Sequence, residues 1–169
     1  MAEGSEQSGV GTPTDSDRSP ADIVDDIDRP VLLFDGVCNL CNATIRAIVR
    51  LDDAGEVLFA PLQSDVGAEL LSRTRLDADY FESVVLVERR NATSDEWATY
   101  TKSDAILLVC EKLDGPLPLV GPLKHLPKGL RDGAYDMMAE HRYRIFGRKD
   151  ECPVPPEHIR ERFLERSLA

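Results

Sequence analysis

The fold of this chain is decided by the stretch Val31-Leu32-Leu33-Phe34-Asp35-Gly36-Val37-Cys38-Asn39-Leu40-Cys41-Asn42. Its four apolar residues predict a strand covered on both faces, the Asp-Gly pair predicts a turn, and a helix with two cysteines in its first turn follows. Residues three apart on a helix are neighbours, with Cβ atoms about 5–6 Å apart, so two thiols placed this way reach disulfide distance with little backbone movement. The spacing of Cys38 and Cys41 therefore permits a reversible disulfide.

The beginning of a helix also favours thiol reactivity. It carries about half a positive charge and unsatisfied N–H donors, and both stabilise a thiolate. Cys38 lies at the cap, where this field is strongest. Cys41 lies one turn further and shares a stripe with Ile45 and Ile48, so we expect it to be the more buried sulfur. These positions predict Cys38 as the attacking thiolate and Cys41 as the resolving thiol that expels the substrate from a mixed disulfide.

Asp35 has two interpretations. As a residue at the end of a buried strand beside the cysteines, it could accept or relay the proton of Cys41 during exchange. Alternatively, it shapes the Asp-Gly turn by hydrogen-bonding the backbone. The sequence leaves both roles open, and Asp35 is the third candidate site residue after the two cysteines.

The stretch Phe34-Asp35-Gly36-Val37-Cys38-Asn39-Leu40-Cys41 resembles the motif of the DCC family of thiol-disulfide oxidoreductases, which is named for that Asp and the two Cys. A second block, Tyr143-Arg144-x-Phe146-Gly147-Arg148 followed by Cys152-Pro153-Val154-Pro155, is similar to the C-terminal signature of the same family. The resemblance covers roughly Pro30 to Leu164. It implies a thioredoxin-like fold and a redox activity.

The order of predicted elements agrees with such a fold. A helix of about thirteen residues between two short apolar strands is typical of a parallel βαβ unit, and a hairpin and a helix follow it. The predicted elements after Phe34 are a helix from Asn39 to near Gly55, strands at Val57–Pro61, Ser83–Glu88 and Trp97–Thr101, and helices at Val66–Arg73, from Thr101, at Pro127–Phe146 and from Pro155. We therefore predict an α/β fold, with a thioredoxin-like sheet flanked by helices and a helical C-terminal extension.

Two details refine this prediction. Thr101-x-x-Asp104 has the pattern of a capping box for the helix that follows. Thioredoxin-like proteins usually carry a cis-proline before the third core strand, but no proline occurs between Pro61 and Pro116. We expect the segment Asp79–Ser83 to fill that place with other residues.

Charge and composition set the domain limits and exclude some partners. The first 29 residues contain eight acidic and two basic side chains, so we predict a disordered acidic tail at 1–29 and a single domain at 30–169. The net charge of −11 and the pI of 4.7 argue against a nucleic-acid partner. The N-terminus lacks the features of a secretory signal, and no apolar run approaches the roughly 20 residues that span a membrane. We expect a cytoplasmic protein without a membrane partner.

The other cysteines are less informative. Cys110 shares a helix stripe with Ile106, Val109 and Leu113, which is typical of a core residue. Cys152 follows a basic segment and is either a third redox cysteine or a buried packing residue.

The leading functional hypothesis is a thiol-disulfide oxidoreductase that acts on a disulfide-containing protein or a small thiol compound and is regenerated by an unknown reductant. No organic cofactor is expected, because the chain has no phosphate-binding Gly-rich motif. Two alternatives remain: a redox-sensing module without turnover, and a module that holds a metal through Cys38, Cys41 and Cys152.

Overall fold

The computed structural model describes residues 18–77, 80, 83–91, 96–113, 122–150 and 157–164. Its elements are α1 (Pro20–Asp25), β1 (Val31–Phe34), α2 (Asn39–Leu51), β2 (Leu58–Pro61), α3 (Asp65–Ser72), β3 (Val85–Arg89), β4 (Trp97–Thr101), α4 (Lys102–Lys112), α5 (Lys128–Phe146) and a C-terminal 3-10 helix (Glu157–Arg162). No helix within these ranges has the length and apolar character needed to cross a membrane.

The strands form one four-stranded sheet in the order β2-β1-β3-β4. Strands β1 and β2 are parallel, with Val31 opposite Leu58. Strand β3 is antiparallel to both of its neighbours, β1 and β4. A parallel βαβ half is thus followed by an antiparallel ββα half, and the predicted thioredoxin-like arrangement is confirmed.

Both faces of the sheet are covered, which explains the continuous apolar runs of its strands. One face packs Leu32, Phe34 and Phe59 against α2, α4 and the 3-10 helix. The other face packs Leu33 and Val85 against α1 and α3. Both cysteines of the C-x-x-C motif belong to the first of these cores.

The N-terminal prediction is wrong for the part of the 1–29 segment that the structure describes. Residues 20–25 form α1, which begins at Ser19, whose hydroxyl accepts the Asp22 N–H at 3.2 Å in a capping box. Val24 and Ile27 are buried against the core that contains α3. The acidic composition did not indicate this short amphipathic helix. The folded domain therefore begins before Pro30. Residues 1–17 lie outside the described ranges.

The link between α4 and α5 also differs from the prediction. Thr101 occupies the cap position of α4, but its side chain makes no cap hydrogen bond. Asp104 instead pairs with Lys128 and with Arg131, whose Nη1 lies 2.9 Å from Asp104 Oδ1. The predicted capping box is therefore replaced by ion pairs that join the first turn of α4 to α5.

The C-terminal residues return to the sheet. The last predicted helix is a 3-10 helix, and Ile159 and Phe163 are buried in the core. Phe163 forms a parallel bridge with Phe59, and the Leu164 N–H donates to Phe59 O at 3.0 Å. This segment lies along the outer side of β2.

A buried ion pair fixes the same segment. The Asp52 carboxylate pairs with the Arg162 guanidinium and accepts the N–H groups of Glu56 at 2.9 Å and Val57 at 3.0 Å. Asp52 is also the cap residue at the end of α2, three residues before Gly55, near which we expected the helix to end. One carboxylate therefore joins the end of α2, the beginning of β2 and the C-terminal segment.

Candidate dithiol site

The structure places Cys38 and Cys41 in the first turn of α2, as the spacing predicts. Cys38 is the cap residue, with an extended backbone (φ −80°, ψ 122°), and its sulfur accepts the Cys41 N–H at 3.4 Å. Both are free thiols. A sulfur that accepts a helix N–H at the positive end of the helix is well placed to carry negative charge.

The relative burial of the two cysteines is the reverse of the prediction. Cys38 is 0% exposed, whereas Cys41 is 9% exposed. Burial raises the pKa of Cys41 to about 12, with further raising contributions from the hydrogen bond and charge of Cys38, while the charge of Arg142 lowers it. The Cys41 thiol therefore keeps its proton at neutral pH. Its position on the helix did not reveal what covers Cys38.

The cover over Cys38 is the chain segment that follows α5. Cys38 and Arg148 form an isolated antiparallel bridge. The Lys149 N–H donates to Val37 O at 2.8 Å, and the Asn39 N–H donates to Gly147 O at 3.4 Å. In addition, Asn39 Nδ2 donates to Phe146 O at 2.9 Å. Residues 147–149 therefore lie across the loop that carries Cys38, and we call them the covering segment.

Asp35 is buried at the turn between β1 and α2. Its Oδ1 accepts the Val37 N–H at 3.2 Å and Gln63 Nε2 at 2.8 Å. Its Oδ2 accepts a bond from Arg142 Nη2 at 3.2 Å and another from the Tyr143 hydroxyl. The bond to Val37 is the turn-shaping contact of the second interpretation. None of the described contacts of Asp35 is a hydrogen bond to Cys41.

Arg142 and Tyr143 were not identified as site residues from the sequence. Arg142 is buried, and its guanidinium pairs with Asp35. Burial and the hydrogen bond to Asp35 raise the pKa of Tyr143. The available signal was the second family block, which begins at Tyr143 and therefore pointed to this end of α5.

The residues just before β3, where we expected a counterpart of the thioredoxin cis-proline, make a hydrogen bond to α5. The Val84 N–H, just before β3, donates to the Tyr135 hydroxyl at 3.0 Å. Tyr80 and Ser83 share a hydroxyl hydrogen bond of 2.9 Å. Burial raises the pKa of Tyr135 to about 12, and the charge of Cys41 adds to the shift. Of the segment Asp79–Ser83 that we expected to fill the cis-proline place, the structure describes Tyr80 and Ser83, whereas Asp79, Phe81 and Glu82 lie outside the described ranges.

The remaining cysteines do not join the site in the part of the chain described. Cys110 lies on α4 and is half-buried rather than fully in the core, and burial raises the pKa of its thiol. Cys152 lies outside the described residues. Within those residues no group of three or more His, Cys, Asp or Glu side chains could hold a metal ion. A metal site through Cys38, Cys41 and Cys152 remains a hypothesis.

The fold and this geometry define a thioredoxin-like protein with a dithiol at the start of the first helix after strand β1. Residues 32–148 match the family DCC1-like thiol-disulfide oxidoreductase, and the chain belongs to that family. The match confirms the resemblance inferred from the two sequence blocks. It ends at Arg148, so Cys152 falls outside it.

Two curated relatives extend this comparison. The "Uncharacterized protein YuxK" of Bacillus subtilis (strain 168) is 41% identical over 138 residues, which cover 82% of this chain and 96% of the relative. The "DCC family protein At1g52590, chloroplastic" of Arabidopsis thaliana is 39% identical over 127 residues, which cover 75% of this chain and 70% of the relative. No solved structure gives a significant match to the chain.

Proposed function

We propose that this protein is a thiol-disulfide oxidoreductase whose Cys38–Cys41 dithiol exchanges with a disulfide in a protein or a small molecule. The observation that carries the proposal is the pair of free thiols in one helical turn, with Cys38 Sγ accepting the Cys41 N–H. Membership of the DCC1-like family supports it.

The cycle divides the work between the two thiols. The Cys38 thiolate attacks one sulfur of the substrate disulfide, and the other substrate sulfur leaves as a thiolate that takes up a proton. Cys41 then loses its proton and attacks Cys38 Sγ, which releases the first substrate sulfur. The substrate gains two electrons, the protein holds a Cys38–Cys41 disulfide, and an external thiol or dithiol reductant restores the pair.

The raised pKa of Cys41 supports this order of attack. Because burial raises that pKa to about 12, Cys41 is a poor first nucleophile at neutral pH. We assign Asp35 a positioning role, because four donors already occupy its two oxygens. The proton of Cys41 then leaves to solvent or to the departing substrate thiolate.

The acidic surface and the dithiol together support a cytoplasmic protein that works with the thiols of a reducing compartment. Its physiological reductant belongs to that thiol pool. No organic cofactor takes part in the proposed cycle, because both electrons pass between sulfur atoms.

A redox sensor without turnover is the second candidate, and the complete burial of Cys38 favours it. A sensor changes shape when Cys38 and Cys41 form a disulfide but does not reduce substrate repeatedly. Multiple turnovers per protein molecule separate the two functions.

The test is disulfide exchange with purified, metal-free protein. The oxidoreductase proposal expects a reversible Cys38–Cys41 disulfide with a midpoint potential between about −120 and −270 mV. Cys41→Ser should trap a mixed disulfide on Cys38, and Cys38→Ser should abolish exchange. Cys110→Ser is the matched control and should behave as the parent protein does. Absence of an intramolecular disulfide, or an equal loss of exchange in the Cys110 variant, would contradict the proposal.

A further inference from the structure

We infer that the backbone around Cys38 is a docking site for an extended polypeptide, and that residues 147–149 of the same chain occupy it in this structure. This inference rests on the proposed function and narrows its substrate class. The substrate is then a disulfide in an extended, accessible segment of a protein or peptide.

The hydrogen bonds around Cys38 form one antiparallel register. Val37 O accepts the Lys149 N–H, and the Asn39 N–H donates to Gly147 O, so the bonds flank the facing pair Cys38 and Arg148. This is the non-hydrogen-bonded pair of an antiparallel ladder. Backbone pairing of this kind is sequence-tolerant, and it is how many proteins bind an extended peptide as an added strand.

The same register places a substrate cysteine at bonding distance. Facing residues of a non-hydrogen-bonded pair have Cα atoms about 4.5 Å apart, and disulfide-linked residues have Cα atoms about 4.4–6.8 Å apart. A substrate cysteine in the place of Arg148 therefore meets the geometric requirement for a bond to Cys38. Arg148 itself lies with its guanidinium 5.6 Å from the Tyr143 ring centroid.

Access to Cys38 requires the covering segment to leave. Cys38 is 0% exposed: its side chain belongs to the core on the first face of the sheet, and residues 147–149 pair with its backbone. No disulfide can meet a sulfur that solvent does not reach, and displacement of residues 147–149 is the inferred way in which that path opens. Among the described residues, the contacts that hold the segment are the two backbone bonds, the Asn39 side-chain bond to Phe146 O, the Gly147 N–H bond to Tyr143 O at 2.9 Å and the contact of Arg148 with the Tyr143 ring. A substrate strand in the same register restores the two backbone hydrogen bonds that Val37 and Asn39 lose when the segment leaves.

The chemistry at the docked strand is one exchange step. The Cys38 thiolate attacks the substrate cysteine sulfur, forms the Cys38–substrate bond and breaks the substrate disulfide, whose other sulfur leaves as a thiolate. Cys41 then closes the Cys38–Cys41 disulfide and releases the peptide thiol. The covering segment returns, and a dithiol reductant restores both thiols.

The first experiment tests whether the covering segment limits access to Cys38, and it requires no catalytic turnover. Lys149→Pro removes the N–H that bonds Val37 O, whereas Lys149→Ala keeps it and changes only an exposed side chain. In reduced full-length protein, Cys38 of the Pro variant should be alkylated about three- to tenfold faster than in the Ala variant, the range that one net hydrogen bond represents. Asn39→Ala, which removes the bond to Phe146 O, should also speed alkylation. If the Pro and Ala variants both kept the parent circular dichroism spectrum and Cys38 were alkylated at equal rates in both, the inference that the segment limits access to Cys38 would be overturned.

The second experiment tests docking in the parent protein. The probe is a synthetic extended peptide whose single cysteine is in a disulfide with thionitrobenzoate, and release of thionitrobenzoate reports the attack of Cys38. N-methylation of the residue after the cysteine removes the N–H that takes the place of Lys149, and it should slow release about three- to tenfold. N-methylation of the cysteine itself is the control, because the N–H of a facing residue in this register does not bond the Cys38 strand.

The outcomes separate this inference from the oxidoreductase proposal. Slower release from the first methylated peptide alone supports docking. Equal rates for both methylated peptides, or reaction with a small-molecule disulfide but with neither peptide, would overturn docking and leave the oxidoreductase intact. If no disulfide reacts although the Lys149→Pro variant is alkylated faster, the oxidoreductase proposal fails, and the peptide-substrate inference fails with it.

Discussion

The carboxylate of Asp35 and the guanidinium of Arg142 form a buried ion pair, with Oδ2 and Nη2 3.2 Å apart and side chains that are 3% and 8% exposed. The two residues are 107 positions apart in the sequence. Their contact joins the turn before the dithiol helix to the last turns of α5. The position of Cys38 beneath the covering segment therefore depends on a long-range polar contact as well as on the local helix.

Arg142→Gln should destabilise the protein strongly, because it leaves the Asp35 carboxylate buried without its cation. Removing one partner of a buried pair costs about 3–5 kcal/mol, and a urea titration measures the loss. Asp35→Asn combined with Arg142→Gln should recover part of it. Arg144→Gln, on the exposed side of the same helix, is the control and should stay within about 0.5 kcal/mol. A loss no larger than that of the control would show that the pair is not a stabilising contact.

The stability of the reduced protein should fall as the pH rises above 9.0. The ordinary pKa of the thiol is 9.0, and burial raises that of folded Cys41 to about 12, so the unfolded state releases the proton first. Between these values the folded state binds more protons, and the free energy of unfolding declines; below 9.0 the contribution is fully present. Cys41→Ala should reduce this decline in urea titrations under a phosphine reductant. If the Cys41→Ala variant lost stability above pH 9.0 as steeply as the parent protein, a group other than Cys41 would cause the decline.

Tyr135→Phe should cost about 1–3 kcal/mol, because the buried Val84 N–H loses its acceptor. The hydroxyl also keeps α5 against the beginning of β3, near Cys41, so the rate of Cys41 alkylation should rise in the variant. Tyr100→Phe is the matched control, since the hydroxyl of Tyr100 makes no hydrogen bond within the described ranges. If both variants unfold at the same urea concentration, the bond to Val84 contributes nothing measurable.

Arg162→Gln should destabilise the protein by about 3 kcal/mol, because Asp52 is left buried without its cation. Glu161 is the exposed neighbour of Arg162, and Glu161→Gln should change the free energy of unfolding little. The midpoint potential of the dithiol should be the same in both variants, because this pair lies at the far end of α2. A shifted potential in the Arg162 variant would show that the C-terminal segment influences the thiols.

Most of the sheet could be predicted from the sequence because its signals are local. Short runs such as Val31–Phe34 are apolar on both faces, and the spacing between them fits one helix. The first helix was missed because its cap, Ser19 with Asp22, lies inside an acidic segment whose composition suggests disorder. The acidic composition of the first 29 residues favoured a prediction of disorder, although the four residues Ser19–Asp22 carry the pattern of a helix cap.

The dithiol itself was also visible in the sequence, but its surroundings were not. Helical periodicity places Arg142 on a face of α5 without showing that the face meets Asp35. The predicted order of burial of Cys38 and Cys41 was wrong, and no local pattern shows that Arg148 pairs with Cys38 from more than a hundred residues away. Contacts of this kind depend on the closed fold rather than on any local pattern.

The bridge between Phe163 and Phe59 means that β2 does not present an open edge to solvent. Unpaired edge strands are templates for association between chains, and coverage by another segment is one of the ways proteins prevent it. A chain shortened before the 3-10 helix would keep the hydrogen bonds described at the dithiol site, yet it would expose the β2 edge and part of the aromatic core. Its first defect would then be aggregation during expression, and it would appear as insoluble protein rather than as altered thiol chemistry.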